Sequence, residues 1–346
     1  MFAPLLLILF FANQAQRLRE RDEQATAPAV VSYIVLALMY FSTLAMGLLF
    51  LGIGSLPAPA GGGEAADAAA DLLQVSSPLW LSLGLVLPSI LGLLLLLKPV
   101  RRLAAHFTQL DPDNPVHTVA LSLTMLPLIA LGFTLGIGLD TLAAQLATQS
   151  EQTGSDPFSL AALWAQAAMF LLTALIGVGW LSRRTWGEAL ARLGLVRPTG
   201  QQVLIGIGAA LLMVPAAMAL EAAFNTFGLT VGQDVESLTE LLMGPLFATP
   251  FGIISVGLAA AIGEEPLFRG AAQPRFGLLL SSLIFAVVHS QYGISLATVI
   301  VLALGLALGY IRQRTNTTTS IIAHAVYNST LGALAYFAAQ VLTQQP

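Results

Sequence analysis

Glu264 and Glu265, with Arg269 four residues beyond the second, place two carboxylates and a guanidinium in an otherwise apolar stretch. Two later apolar segments carry His289, preceded by Phe285 at Phe-x-x-x-His spacing, and His324, with Asn328 four residues on. Such a set can do acid–base work: a carboxylate takes a proton, an imidazole holds or relays one, and a carboxamide donates a hydrogen bond. Adjacent helical residues point about 100° apart, so Glu264 and Glu265 are expected to have different partners. Glu265 and Arg269 sit at the i, i+4 spacing where a carboxylate and a guanidinium meet on one face, and this pair can neutralise itself. Glu264 is left without a partner in its own helix, which makes it the candidate general base. Pro266 lacks an N–H and disfavours helical geometry in the residue before it, so a kink or restart is expected there, opening space and baring a carbonyl. His324 and Asn328 share a helix face and can aim donors at one oxygen. That suits a nascent oxyanion, where each well-placed donor is worth roughly 3 kcal/mol of barrier.

The elements that must position these groups are membrane helices. Of 346 residues, 56% are hydrophobic and 9% charged, and mean hydropathy is +0.82. A water-soluble domain of that composition would expose large apolar patches, so the expected fold is all-α, a polytopic transmembrane bundle. An ionisable group in the hydrocarbon layer costs a few kcal/mol or more and marks a pathway, a paired site or an active centre. The chain has no cysteine, which excludes disulfides, a thiol nucleophile and thiolate metal sites. No basic patch suggests nucleic acid as a partner.

Apolar stretches long enough to span occur at roughly 28–54, 78–97, 116–147, 158–181, 200–227 and 241–262. A short one follows at 277–289, then two more at 294–311 and 320–342, about eight spanning helices plus short or re-entrant pieces. The run from Phe2 to Ala12 has neither the basic start nor the small-residue cleavage site of a secretory signal, and reads as a short N-out helix or an interfacial anchor. Loops sort by charge. Lys98, Arg101 and Arg102, then Arg183, Arg184, Arg192 and Arg197, then Arg312 and Arg314 fall on one side. Glu64, Asp67 and Asp71, then Glu151 and Asp156, then Asp234 and Glu236 fall on the other, so the arginine-rich side is read as cytoplasmic. Residues 55–77, rich in Gly, Ala and Pro, read as a flexible loop on the acidic side. A module boundary is placed near 199, dividing an N-terminal transmembrane module of unassigned role, 1–199, from a core, 200–346, that holds every candidate residue. Gly206 and Gly208, and Gly305 and Gly309, read as small residues that let helices approach.

Other chemistries fit less well. Two histidines and a glutamate could bind zinc, but His-Glu-x-x-His is absent and Asn328 is a poor zinc ligand, so no metal and no cofactor is assigned. A serine elbow is missing, and Lys98 is the only lysine for a Ser–Lys pair. A proton-coupled transporter would be expected to carry matching interrupted helices in both halves, whereas the polar residues crowd into the second. A non-catalytic membrane scaffold or immunity protein that binds a peptide or lipid stays open as the rival.

Glu-Glu-x-x-x-Arg, Phe-x-x-x-His and His-x-x-x-Asn in that order resemble the CAAX-protease and bacteriocin-processing family of intramembrane glutamic endopeptidases. The Leu193-Gly194-Leu195 and Arg197-Pro198 run is similar to the family's lead-in, and the likeness covers roughly 190–342. It implies that Glu264, with His289, activates a water for attack on a peptide carbonyl and that His324 and Asn328 stabilise the oxyanion. Glu265 and Arg269 would be structural, with Phe285 behind the site. The implied substrate is a peptide or protein, prenylated or not, reached from the bilayer or the cytoplasmic side. The implied location is a bacterial cytoplasmic or internal membrane, with the site toward the cytoplasm.

Overall fold

A computed structural model describes residues 3–54 and 75–343. Most of the 55–77 loop lies outside the described residues. Among those described, regular structure is helical apart from one isolated bridge between Trp180 and Arg184. That is the expected outcome for an apolar chain, because only an element that satisfies its own backbone can cross hydrocarbon alone. Among the described residues six stretches are long and apolar enough to span: Thr26–Gly52, Pro115–Ile137, Leu160–Gly177, Gly200–Thr226, Pro250–Val288 and Leu296–Arg314. A seventh is added if Pro78–Leu94 and Lys98–Ala105, which meet at 92°, count as one broken span.

Local causes bring this below the eight read from the sequence. The 241–262 run is two helices, Gln233–Phe247 and Pro250–Glu265, because Thr249 caps the second by accepting from the Gly252 N–H at 3.1 Å and Pro250 occupies its first turn. The 116–147 run breaks at Gly138, where φ is +87°. The final helix, Thr317–Thr343, carries Thr317 to Ser320, His324, Asn328, Ser329 and Thr330, which lower its hydropathy. The first helix, Ala3–Arg19, packs one face into the bundle: Ile8, Ala12 and Asn13 are fully buried, and the Asn13 amide donates to Ile176 O at 3.0 Å.

Pro266 does not break its helix. Pro250–Glu265 runs directly into a π-helical stretch, Pro266–Ala272, and then into Gln273–Val288. A π turn reaches to i+5, and this wider geometry takes in a residue that has no N–H to offer its own preceding turn. The change of direction comes at Gly277, where φ is +79° and ψ 174°, a conformation open essentially to glycine alone. A straight helix would have carried His289 away from Glu264, and this bend turns it back. A side chain at 277 would meet nothing within 4 Å, so any penalty for adding one is purely backbone strain. Gly277→Ala is therefore expected to cost about 1–3 kcal/mol in an unfolding titration. An unchanged midpoint would mean that the bend tolerates a Cβ.

Close approach fixes the glutamates laterally. A Cβ on Gly263 would come within 2.8 Å of Ala167 Cα, so only glycine lets the carboxylate-bearing helix lie this close to Leu160–Gly177. Gly206, Gly305 and Gly309 also face neighbouring helices, whereas Gly208 faces open space. Contacts cross position 199 directly: Thr317 Oγ1 donates to Leu193 O at 2.6 Å, and Arg192 Nη1 donates to Gly270 O at 3.1 Å.

Candidate active site

Glu264 and Glu265 end the α-helical part of their span, and both are buried. They diverge as a helix requires. Glu264 Oε2 lies 4.0 Å from His289 Nε2, while Glu265 Oε1 accepts from His324 Nδ1 at 3.0 Å. His289 closes its helix, and its Nδ1 donates to Phe285 O at 2.8 Å. A carbonyl can only accept, so Nδ1 carries a hydrogen, and in the tautomer this leaves for a neutral ring the Nε2 lone pair faces Glu264. Tyr292 lies parallel to this imidazole, 6.0 Å between centroids and 5° between planes.

The second oxygen of Glu265 is 3.4 Å from Arg269 Nε, an ion pair by distance but not a well-aligned hydrogen bond. Arg269 is fully buried, and none of its three guanidinium nitrogens has a hydrogen-bond partner among the described residues. Its charge is also met by the face of Phe285, 4.5 Å from the guanidinium carbon. The same Phe285 ring lies 4.9 Å from His289, 6.1 Å from His324 and 5.2 Å from Phe268. Phe285 thus does two things: its carbonyl sets the tautomer of one histidine, and its ring backs both histidines and the arginine.

The i, i+4 pairing of Glu265 with Arg269 is present, as the spacing indicates. His324, read from the sequence as sharing a face with Asn328, is tied across helices to Glu265, leaving only Nε2 for any other task. No local spacing could reveal this contact, which joins residues 59 positions apart. Asn328 lies one turn further along the same helix, half-buried, with no partner for its carboxamide among the described residues. Tyr292 was not foreseen either, because a tyrosine three residues past a histidine carries no signal until the 3₁₀ turn Ser290–Tyr292 folds it back.

Glu264 Oε2, Glu265 Oε2, Gln273 Oε1 and Ser282 Oγ are buried without a hydrogen-bond partner among the described residues. Among the described residues no group of three or more His, Asp or Glu is placed to hold a metal ion; the site is two carboxylate–imidazole pairs side by side.

Comparison with known proteins covers only part of the chain. No curated protein and no solved structure matches it. Residues 246–330, which include Glu264, Glu265, Arg269, Phe285, His289, His324 and Asn328, match the family described as Type II CAAX prenyl endopeptidase Rce1-like, in keeping with the CAAX-protease and bacteriocin-processing motifs.

Proposed function

We propose that this integral membrane protein is an endopeptidase in which Glu264 and His289 share the water that attacks a peptide bond. The observation that carries this reading is the 4.0 Å gap between Glu264 Oε2 and His289 Nε2. It is too long for a direct hydrogen bond. One water at about 2.8 Å from each atom would bridge it with an angle near 90° at its oxygen. Such a water would also satisfy Glu264 Oε2, a buried oxygen that is costly to leave unpartnered.

Glu264 takes a proton from this water as its oxygen bonds to the carbonyl carbon. The carbonyl oxygen becomes an oxyanion and accepts from His324 Nε2–H and the Asn328 amide. As the C–N bond breaks, Glu264 returns the proton to the leaving amine. For His324 to donate from Nε2 while Nδ1 is held by Glu265, its ring must carry both protons, and Glu265 supplies the counter-charge. Glu265 is in this reading a positioning residue, anchored by Arg269. The substrate is a peptide or protein segment that reaches the site from the bilayer or from the arginine-rich, cytoplasmic side. Residues 1–199 contribute through Leu160–Gly177 and Trp186–Leu193, which pack on the core.

The test is cleavage of membrane-anchored reporter peptides by the purified full chain in lipid nanodiscs, read by mass spectrometry of both fragments. His289→Ala is expected to lower kcat by about 10²–10⁴-fold, and chelators to leave the wild-type rate unchanged. A wild-type chain that cleaves none of the reporters, or a His289→Ala chain that cleaves as fast, would overturn the reading.

A further inference from the structure

His289 is held more tightly than its own helix can hold it. The Nδ1–H bond to Phe285 O at 2.8 Å fixes one corner of the imidazole and comes from one turn back in the same helix. A ring pinned at one atom can still tilt about that atom. Nε2 lies across the ring from Nδ1, so any tilt displaces it most, and Nε2 is the atom that faces Glu264 Oε2. The Phe285 ring meets the imidazole at an inclination of 58° and does not match its plane. Tyr292 does. The two rings are 5° from parallel with centroids 6.0 Å apart, within the offset stacking that aromatic rings prefer. Apolar packing of a tyrosine asks only for volume. Near-parallel alignment with an imidazole is a further property, and it is the one that restricts tilt.

The tyrosine is itself held from outside the motif-bearing helices. The 3₁₀ turn Ser290–Tyr292 closes through the Tyr292 N–H to His289 O at 3.0 Å and the Gly293 N–H to Ser290 O at 2.9 Å. At Gly293 φ is +56° and ψ −142°, a backbone conformation that favours glycine. An added Cβ there would also come within 3.3 Å of Leu139 Cδ1 and 3.7 Å of Leu135 Cδ2. The Tyr292 ring packs against a buried cluster of Leu139, Val235 and Leu238. Leu135 and Leu139 lie on either side of Gly138, and the chain there is tied down by the Ser76 N–H to Ile137 O at 3.0 Å and the Ser77 N–H to Gly136 O at 2.9 Å. The N-terminal half, for which the sequence offers no role, thus reaches His289 through one aromatic ring.

We propose that Tyr292 is a positioning residue for His289, and that Leu135 and Leu139 of the N-terminal half hold its turn against the imidazole. The role rests on the reading in which Glu264 and His289 share a water, and Tyr292 acts in it through the imidazole rather than on the substrate. The test joins kinetics to a readout that needs no turnover. With the reporter peptides, Tyr292→Leu is expected to lower kcat by about 10²-fold, the loss that a displacement of about 1 Å can bring, with KM unchanged. Tyr292→Phe keeps the flat ring and is expected to recover most of that loss. The chain has four histidines, so the imidazole ¹⁵N signals of His289 in the labelled full chain in lipid bilayers are identified by comparison with His289→Ala. At about pH 8.5, above the ordinary imidazole pKa of about 6.5, wild-type His289 is expected to show Nδ1 protonated and Nε2 bare, and Tyr292→Leu to show the two tautomers averaged. Wild-type kcat in Tyr292→Leu overturns the proposal, as does a loss in Tyr292→Phe as large as in Tyr292→Leu, or a His289 spectrum that Tyr292→Leu leaves unchanged. Should Tyr292→Leu not fold, Leu139→Ala loosens the ring from behind and is expected to lower kcat and shift the same spectrum, and no change in either overturns the proposal. A wild-type chain that cleaves no reporter ends the hydrolytic reading instead, and the spectra still decide whether Tyr292 orients His289.

Discussion

Glu264→Gln is expected to reduce peptide cleavage by about 10⁴-fold while leaving the thermal midpoint close to that of the wild type. The substitution keeps the shape of the side chain and its ability to bridge to a water, and removes only its capacity to take a proton. The partners that hold the rest of the site are untouched, because Glu265, Arg269, His324 and Phe285 form their own set of contacts. Glu265→Gln gives the contrasting result. Its amide can still face His324 Nδ1 but no longer balances the charge of Arg269 or of a doubly protonated imidazole, so both stability and kcat fall. Equal activity in wild type and Glu264→Gln would remove the carboxylate from the chemistry altogether.

Arg269→Met is expected to destabilise the folded chain by about 3–5 kcal/mol, the largest effect of any single substitution on stability considered for this site. Arg269 and Glu265 are both fully buried, and losing the cation strands a carboxylate in a low-dielectric core with only His324 to face it. Methionine fills much of the volume and can still touch Phe285, so the loss reports charge rather than a cavity. Adding Glu265→Gln to the same chain removes the stranded charge and is expected to restore most of the stability without restoring cleavage. Denaturant unfolding in detergent measures both. A single variant as stable as wild type would show that the pair contributes little to the fold.

The helical, membrane-embedded character of the chain was legible in its composition and in runs such as Thr26–Gly52 and Gly200–Thr226, where continuous apolarity has only one structural outcome in lipid. The Glu265–Arg269 pair was legible as well, because i, i+4 spacing is a local property. What escaped the sequence is where local rules compete. Pro266 signals a broken helix, yet the chain answers with a π-helical stretch and bends instead at Gly277, where the short apolar segment begins. The Glu265–His324 bond depends on how two helices meet, and the Tyr292–His289 stack on a 3₁₀ turn that no periodicity announces. The polar residues themselves also lowered the hydropathy of Thr317–Thr343, so the helix most occupied with the site is the one least like a span.

The claim on which the rest depends is that Glu264 and His289 act on one and the same water. Cleavage rates of Glu264→Gln, His289→Ala and the double variant, measured on a single reporter peptide, test it most directly. If the two side chains act as a unit, the double variant is expected to be no slower than the slower single variant, because either change alone already disables the shared nucleophile. Losses that multiply in the double variant would show two independent contributions and contradict the shared water.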